Sequence, residues 1–222
     1  MKLDGFGLAE PEPDHAAARA SATAWARDLL SRNDWLLLDV NSMSDLFHEQ
    51  IPESFIHDVF TVMRASRHTY QILTKRPERM VDVLYHLSWM TEPNGRGGYV
   101  AYRGTPGSYV LPNVWLGVSI EQDRWVQRAD LLRATPAAVR FISAEPLLEP
   151  LPALSLVGID WLIAGAESGR GARPMDDDWV RDLRDRTKAA GGAFFFKQRS
   201  TCGGVKREHP VLDGVTWEEL PG

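Results

Sequence analysis

Six short segments of the chain are nearly continuous apolar runs, rich in β-branched and aromatic residues, and each predicts a β-strand. These runs are Trp35–Val40, Thr69–Leu73, Val114–Val118, Val139–Ile142, Asp160–Ala164 and Ala193–Phe196. Strands without a regular alternation of apolar and polar residues are typical of parallel sheets covered on both faces. The pattern therefore predicts a buried parallel sheet.

Helical patterns separate several of these runs. Glu53–Ser66 and Gln122–Ala134 each place their apolar residues on one stripe, and Asp176–Ala190 starts with three aspartates that suit a helix N-terminus. A strand, a helix and a further strand in succession form a right-handed parallel crossover. We therefore predict that residues 35–222 form an α/β domain built as a partial parallel (β/α) barrel, similar to a TIM barrel.

Residues 1–34 are predicted to be a separate region, with an acidic leader and an Ala-rich helix at Asp14–Ser31. The leader lacks the apolar segment of a signal peptide, and no run approaches the roughly 18 apolar residues of a membrane span. We expect a soluble cytoplasmic protein with no membrane partner, in the host cytoplasm if a phage encodes it. The net charge of -5 argues against nucleic-acid binding over the whole surface but leaves a local basic face open.

Polar residues follow every predicted strand. The carboxyl ends of the strands in a parallel barrel open on one face, where such folds place ligands and catalytic groups. The candidate ligand-binding residues at these ends are Ser42, Asp45, Arg76, Ser119, Glu121, Ser168, Arg170, Arg173 and Gln198. The alternative is that the strand ends merely return to solvent.

Lys75 and Lys197 are the strongest catalytic candidates at these strand ends. A lysine at the mouth of an apolar barrel can lose its water shell and its proton, and then acts as a base or as a Schiff-base nucleophile. It can equally serve as a fixed cation for an anionic substrate. Lys197 follows three phenylalanines, which favours a functional role, whereas Lys75 beside Arg76 is equally well explained as a solvated lysine.

Glu145 and Glu167 are the candidate catalytic carboxylates, because they follow adjacent predicted strands. They can transfer protons, bind a divalent ion, receive a ligand amine or simply cap loops. Since the last two strands should be neighbours, we expect Glu167 to meet Lys197 directly or across a ligand. We also expect a basic rim from the cations that follow strands, which are Lys75, Arg76, Arg79, Arg170, Arg173, Lys197 and Arg199.

Other residues add less. Gly165–Pro174 combines glycines with two arginines, a composition that can hold a phosphate or a carboxylate. The histidines show no metal-ligand spacing, so no protein metal site is predicted. Trp115 and Trp161 open two predicted strands, where burial under helices explains them better than base stacking.

Seven ordered segments resemble a phage and bacterial protein family of unknown function, which is itself similar to radical S-adenosylmethionine enzymes. The segments are Asn41–His48, Leu73–Pro77, Val114–Ser119, Arg140–Leu148, Glu167–Met175, Phe194–Gln198 and Leu212–Glu219. The resemblance implies a radical-SAM-like barrel that binds S-adenosylmethionine or another anionic or nucleotide-like ligand at the mouth. It further implies nucleic acid or a nucleotide as the substrate.

The family also carries an N-terminal motif of three cysteines that binds an iron–sulfur cluster. This chain has one cysteine, Cys202, far downstream of that place. Carboxylates and lysines cannot replace cluster thiolates, so no iron–sulfur cluster and no radical chemistry are expected from this chain alone. Three explanations stay open: a reading frame that starts upstream, a degenerate homologue that kept a binding function, or a cluster segment on another chain.

Three functions are compatible with these observations. The leading hypothesis is a barrel that binds S-adenosylmethionine or a similar ligand, with catalysis left open. The first alternative is a catalytically inactive module that engages a host or phage protein. The second alternative is a cluster-independent Schiff-base lyase that uses Lys75 or Lys197.

Overall fold

The computed structural model describes residues 37–39, 45–86, 100–101, 109–200 and 206–222. The predicted leader and its helix therefore lie outside the described residues, as does Ser42. In chain order the strands are β1 (Leu37–Asp39), β2 (Thr69–Thr74), β3 (Val100–Ala101), β4 (Tyr109–Val110), β5 (Val114–Ser119), β6 (Val139–Ala144), β7 (Trp161–Gly165), β8 (Ala193–Ser200), β9 (Lys206–Glu208), β10 (Val211–Leu212) and β11 (Val215–Thr216). The helices are α1 (Glu53–Ala65), α2 (Pro77–His86), α3 (Arg128–Ala134) and α4 (Asp177–Ala189).

The main sheet has the order β1-β2-β5-β6-β7-β8-β9. Five successive parallel pairings join β1 through β8, and β9 adds to the outer edge of β8 in the antiparallel direction. Each of the six predicted strands coincides with one of the parallel strands, so the predicted α/β domain with a parallel sheet is confirmed. Within the described residues the sheet is open, with β1 and β9 at its edges, and the finer barrel assignment stays a prediction.

Helices flank this sheet for reasons visible in their sequences. α4 begins after Asp176, whose carboxylate accepts a hydrogen bond from the Asp178 N–H at 2.9 Å, and it ends before Gly191, which has a φ of +83°. Its buried residues are Val180, Leu183 and Thr187, which recur at helical spacing. α4 packs on β7 and β8, and α3 packs on β5 and β6. No helix of the described part is long and apolar enough to cross a membrane.

One face of the sheet carries two aligned rows of side chains, because alternate residues of a strand point to the same side. The lower row contains Gly117, Phe141, Trp161 and Ala193, which are paired in register across β5 to β8. The upper row, two residues further along each strand, contains Ser119, Ser143, Ile163 and Phe195. We call this the site face, because its rows lead to the carboxyl ends of the strands.

The core of the site face is aromatic. Phe141, Trp161 and Ile163 are buried together, and the strand residues Leu73, Trp115, Ala193 and Phe195 pack against them while staying partly exposed. The Trp161 ring meets Trp115 and Phe195 edge to face, with 6.1 Å between ring centroids in each case. Among the described residues this cluster consists of strand side chains, and the expectation that helices bury Trp115 and Trp161 stays a prediction.

Gly117 is required by this packing, because a Cβ at that position would lie 2.4 Å from the Phe141 ring. We expect Gly117→Ala to lower the free energy of unfolding by about 1 to 3 kcal/mol through overpacking. The cost should shrink when Phe141 is first changed to Leu, since the smaller side chain removes the clash. Urea unfolding of the single and double variants measures both values. An equal cost in the two backgrounds would show that the Phe141 ring is not the cause.

Candidate functional site

The carboxyl ends of five neighbouring strands meet at one edge of the sheet, and the predicted catalytic residues are concentrated there. Lys75 follows β2, Glu121 follows β5, Glu145 follows β6, Gly165 ends β7 and Lys197 lies in β8. We call these five residues the strand-end site. Two carboxylates on adjacent strands are thus flanked by a lysine on either side.

Glu121 is held between two cations. Its Oε1 faces Lys75 Nζ in an ion pair that lacks normal hydrogen-bond geometry. Arg128 Nη1 donates to the Ser119 carbonyl at 2.8 Å and lies 3.3 Å from Glu121 Oε2, while its guanidinium stacks on Trp125 at 4.4 Å. The Glu121 side chain is only 10% exposed. A carboxylate this buried needs compensating charge, which Lys75 and Arg128 supply.

Glu145 is held by a hydroxyl and by a lysine from two strands away. Its Oε2 accepts from Ser143 Oγ at 3.1 Å and from Lys197 Nζ at 3.3 Å. The Glu145 side chain is 14% exposed and the Lys197 side chain 52%. The contact crosses β7 where that strand has a glycine, Gly165. A Cβ there would lie 2.6 Å from Glu145 Oε1, so the missing side chain leaves the space that the carboxylate occupies.

A β-bulge positions Lys197. Ala164 pairs with Phe196 and Gly165 pairs with Gln198, so Lys197 is an extra residue on the β8 side. A bulge re-aims the side chains beside it. Gln198 Nε2 donates to the Ala166 carbonyl at 2.6 Å, which fixes the end of β7 against β8. Gln198 is thus engaged with the backbone next to the strand-end site.

Asp45 secures the end of β2. Its carboxylate accepts from Thr74 Oγ1 at 2.7 Å, from Arg76 Nη1 at 3.1 Å and from the backbone N–H groups of Phe47 and Lys75. Both of its oxygens are used in these bonds. Asp45 and Arg76 therefore brace the segment that carries Lys75.

Glu167 is engaged by Arg173 within its own loop. Its carboxylate accepts from the Arg173 backbone N–H at 2.9 Å, from Nε at 2.8 Å and from Nη2 at 2.6 Å. The expected pair of Glu167 with Lys197 is not formed among the described residues, since Lys197 contacts Glu145 instead. A partner six residues away closes a short loop at little entropic cost, and Gly169 and Gly171, both with positive φ, allow the turn.

Most cations of the predicted basic rim are paired with carboxylates, so their positive charge is largely compensated. Five of its predicted cations face a carboxylate: Arg76 with Asp45, Arg173 with Glu167, Lys75 with Glu121, Lys197 with Glu145 and Arg199 with Asp177. Arg79 donates to the carbonyls of His48 and Ile51. Arg170 and Ser168 are exposed in the loop after β7, and Arg170 has no carboxylate partner among the described residues.

The two lysines are not desolvated. The Lys75 side chain is 58% exposed and that of Lys197 is 52% exposed, although Phe194, Phe195 and Phe196 precede Lys197. The sequence allowed Lys197 to be desolvated by the phenylalanines before it, but its side chain is more than half exposed beside Glu145. Both lysines are instead positioned cations.

Sequence reasoning missed Gly165 and Arg128 as members of this arrangement. A glycine at the end of an apolar strand can mark a close approach of another group, so Gly165 offered a usable signal. Arg128 lies in α3 and gives no signal, because its contact with Glu121 depends on the path of the intervening turn.

A metal-bearing group does not fit these residues. No group of three or more His, Cys, Asp or Glu side chains in the described part is arranged to hold a metal ion. Cys202 is the single cysteine of the chain and lies outside the described residues. A cluster that needs three cysteine ligands is therefore not matched by the chain.

A second concave surface lies at the opposite end of the strands. This cleft of about 540 Å³ is lined by Asp160, Lys188 and Glu219 among others, at the start of β6, β7 and β8. Lys188 Nζ is bonded to both oxygens of Glu219, at 2.8 and 2.7 Å. None of the predicted site residues lines it, so this end serves as a reference for tests of the strand-end site.

Changing Gly165 to Ala should break the Glu145–Lys197 contact and spare the fold, because the displaced group is the far end of a flexible side chain. We expect a stability loss below about 1 kcal/mol, typical of a solvent-screened ion pair. Lys197 should react faster with acetic anhydride in the variant, as measured by mass spectrometry, while Lys188 provides the internal control. Unchanged Lys197 reactivity would contradict the role given to Gly165.

The Arg173 side chain, and next its backbone N–H, lower the pKa of Glu167 from 4.5 to about 2. A carboxyl group with a lowered pKa stabilises the fold above its unfolded pKa, so this contribution is present above about pH 4.5 and is lost as the pH falls towards 2. NMR titration of the Glu167 carboxyl carbon should give a midpoint near 2, which Arg173→Ala moves towards 4.5. A wild-type midpoint near 4.5 would show that Arg173 does not hold the Glu167 carboxylate in solution.

Comparison with known proteins places the chain in a family. Comparisons with curated proteins and with solved structures each gave no match. Residues 8–221 match the model of the family described as "Protein of unknown function (DUF5131)". The prediction of a family of unknown function is confirmed, whereas its likeness to radical S-adenosylmethionine enzymes stays a prediction. Because the match spans nearly the whole chain, this protein belongs to the DUF5131 family.

Proposed function

We propose that the strand-end site binds a small charged, nucleotide-like ligand, with S-adenosylmethionine as the first candidate. The proposal rests on the order of charged residues at the carboxyl ends of β2, β5, β6 and β8. In this order Glu121 and Glu145 lie between Lys75 and Lys197. These charges stand at the carboxyl ends of parallel strands, where α/β folds bind ligands. No radical step is assigned to this chain.

The Glu145–Lys197 pair suits the amino-acid end of such a ligand. Its ammonium can take the place of Lys197 beside Glu145, and its carboxylate can then pair with the released lysine. This exchange leaves neither the mostly buried carboxylate nor the lysine without a partner. Opening the pair costs little, since one member is half exposed.

The other side of the site favours the anionic part of a ligand. Glu121 faces both Lys75 and Arg128, so this group of three carries one surplus positive charge. A carboxylate or a phosphate can approach Lys75, whose side chain is mostly exposed, without displacing Arg128. The two halves of the site thus differ in charge and would orient a ligand that carries both signs.

The Schiff-base alternative has less support. A Schiff-base lysine needs an apolar or cationic environment that yields the free amine. Lys75 and Lys197 instead face carboxylates and are more than half exposed. This environment suits a binding role better than a nucleophilic one.

The test is calorimetric titration of S-adenosylmethionine into the wild-type protein and two variants. Glu145→Gln should weaken binding by about 2 kcal/mol or more, because it removes a mostly buried charge partner, and Lys197→Met by about 1 kcal/mol. Lys188→Met, a lysine paired with a glutamate at the opposite end, is the matched control and should bind like wild type.

Melting temperatures of all variants should stay close to that of the wild type, since the pair lies at a rim. The proposal fails if the wild type binds neither S-adenosylmethionine nor its sulfur-neutral analogue S-adenosylhomocysteine. It also fails if both site variants bind as the wild type does. Large losses of melting temperature with unchanged binding would make Glu145 and Lys197 structural residues.

A further inference from the structure

Trp161 holds a buried hydrogen-bond donor for which the described part of the chain offers no acceptor. The residue is 4% exposed, and its indole Nε1 has no hydrogen-bond partner among the described residues. Leaving a buried N–H unpaired costs about 1 to 3 kcal/mol, so such groups are rare and call for an explanation. The donor lies in the lower row of the site face, in the same sheet surface as the strand-end site.

The surroundings of this donor are aromatic and partly open. Trp115, Phe141 and Phe195 surround the Trp161 ring at centroid distances of 6.1, 5.8 and 6.1 Å, and we call these four residues the aromatic floor. Trp115 and Phe195 are partly exposed. A buried water needs two to four polar partners, which the described apolar side chains of this cluster do not offer.

Small side chains connect the aromatic floor to the strand-end site. Between Trp115 and Glu121 on β5 the site face carries Gly117 and Ser119, and on β6 Ser143 stands between Phe141 and Glu145. Along β7, Gly165 lies four positions beyond Trp161, which corresponds to about 13 Å, and Ile163 is the site-face residue between them. An elongated ligand whose charged end occupies the strand-end site can therefore reach the floor with its other end.

We propose that the aromatic floor binds the heterocyclic base of a nucleoside-type ligand, and that Trp161 Nε1 donates a hydrogen bond to a ring nitrogen or carbonyl of that base. A base offers both a flat ring for the aromatic side chains and an acceptor for the orphan donor. A phosphate does not fit the floor itself, because its four side chains are aromatic and uncharged. The inference rests on the proposed function and names the part of the ligand that lies away from the charges.

The experiment uses adenosine, which carries the base without the amino-acid end. In a proton–nitrogen correlation spectrum of the full chain, adenosine should shift the indole N–H resonance of Trp161, which is assigned by its loss in Trp161→Phe. Toluene, an apolar ring without an acceptor, should not move that resonance downfield. Trp161→Phe should bind adenosine about fivefold more weakly, as expected from the loss of one hydrogen bond. Trp217→Phe, whose indole already donates to the Leu212 carbonyl, should bind adenosine like the wild type.

The outcomes separate this inference from the proposed function. If S-adenosylmethionine binds with the expected effect of Glu145→Gln but adenosine leaves Trp161 unchanged, the floor is not a base site and the strand-end proposal survives. If adenosine shifts Trp161 while Glu145→Gln has no effect on S-adenosylmethionine, the floor is supported and the strand-end site is wrong. An equal downfield shift with toluene, or equal adenosine affinity of wild type and Trp161→Phe, overturns the inference.

Discussion

Parallel pairing of strands in chain order is the constraint on which the rest of this structure depends. Because β2, β5, β6, β7 and β8 run in the same direction, their carboxyl ends share one edge, and residues far apart in sequence become neighbours there. The same register aligns the rows of the site face, so Phe141 and Trp161 are neighbours in the lower row, and Ser119 and Ser143 are neighbours in the row above. The charged residues lie beyond these rows, at the carboxyl ends of the strands. A slip of one residue in any pairing would turn that strand's contribution to the opposite face.

Two mostly buried carboxylates, which follow adjacent strands, determine which charges the strand-end site must contain. Glu121 and Glu145 each stand two residues beyond the register-paired serines Ser119 and Ser143, so both project on the same face. Carboxylates this buried need cations, and the fold supplies Lys75 and Arg128 to Glu121 and Lys197 to Glu145. Both carboxylates are thereby compensated by cations of the chain itself. A ligand must exchange partners with these groups, which favours molecules that carry both signs of charge.

The sequence was informative where a residue's environment depends on local pattern. Continuous apolar runs predicted all six parallel strands, and parallel topology then predicted that Lys75, Glu121, Glu145 and Lys197 share one end of the sheet. The partners could not be predicted, because the bulge at Lys197 and the missing side chain of Gly165 decide that Lys197 meets Glu145 rather than Glu167. The exposure of Lys197 also escaped prediction, since it depends on how the bulge in β8 directs its side chain. The orphan donor of Trp161 has no signature in the sequence at all.

The central claim is that ligands bind at the carboxyl ends of the strands, and hydrogen–deuterium exchange with and without S-adenosylmethionine tests it most directly. The account predicts slower exchange in the segments that carry the site, residues 119–123, 143–148 and 165–173, with no change at the opposite end. Protection confined to residues 188–193 and 219–222, which line the cleft at the amino ends of the strands, would contradict it.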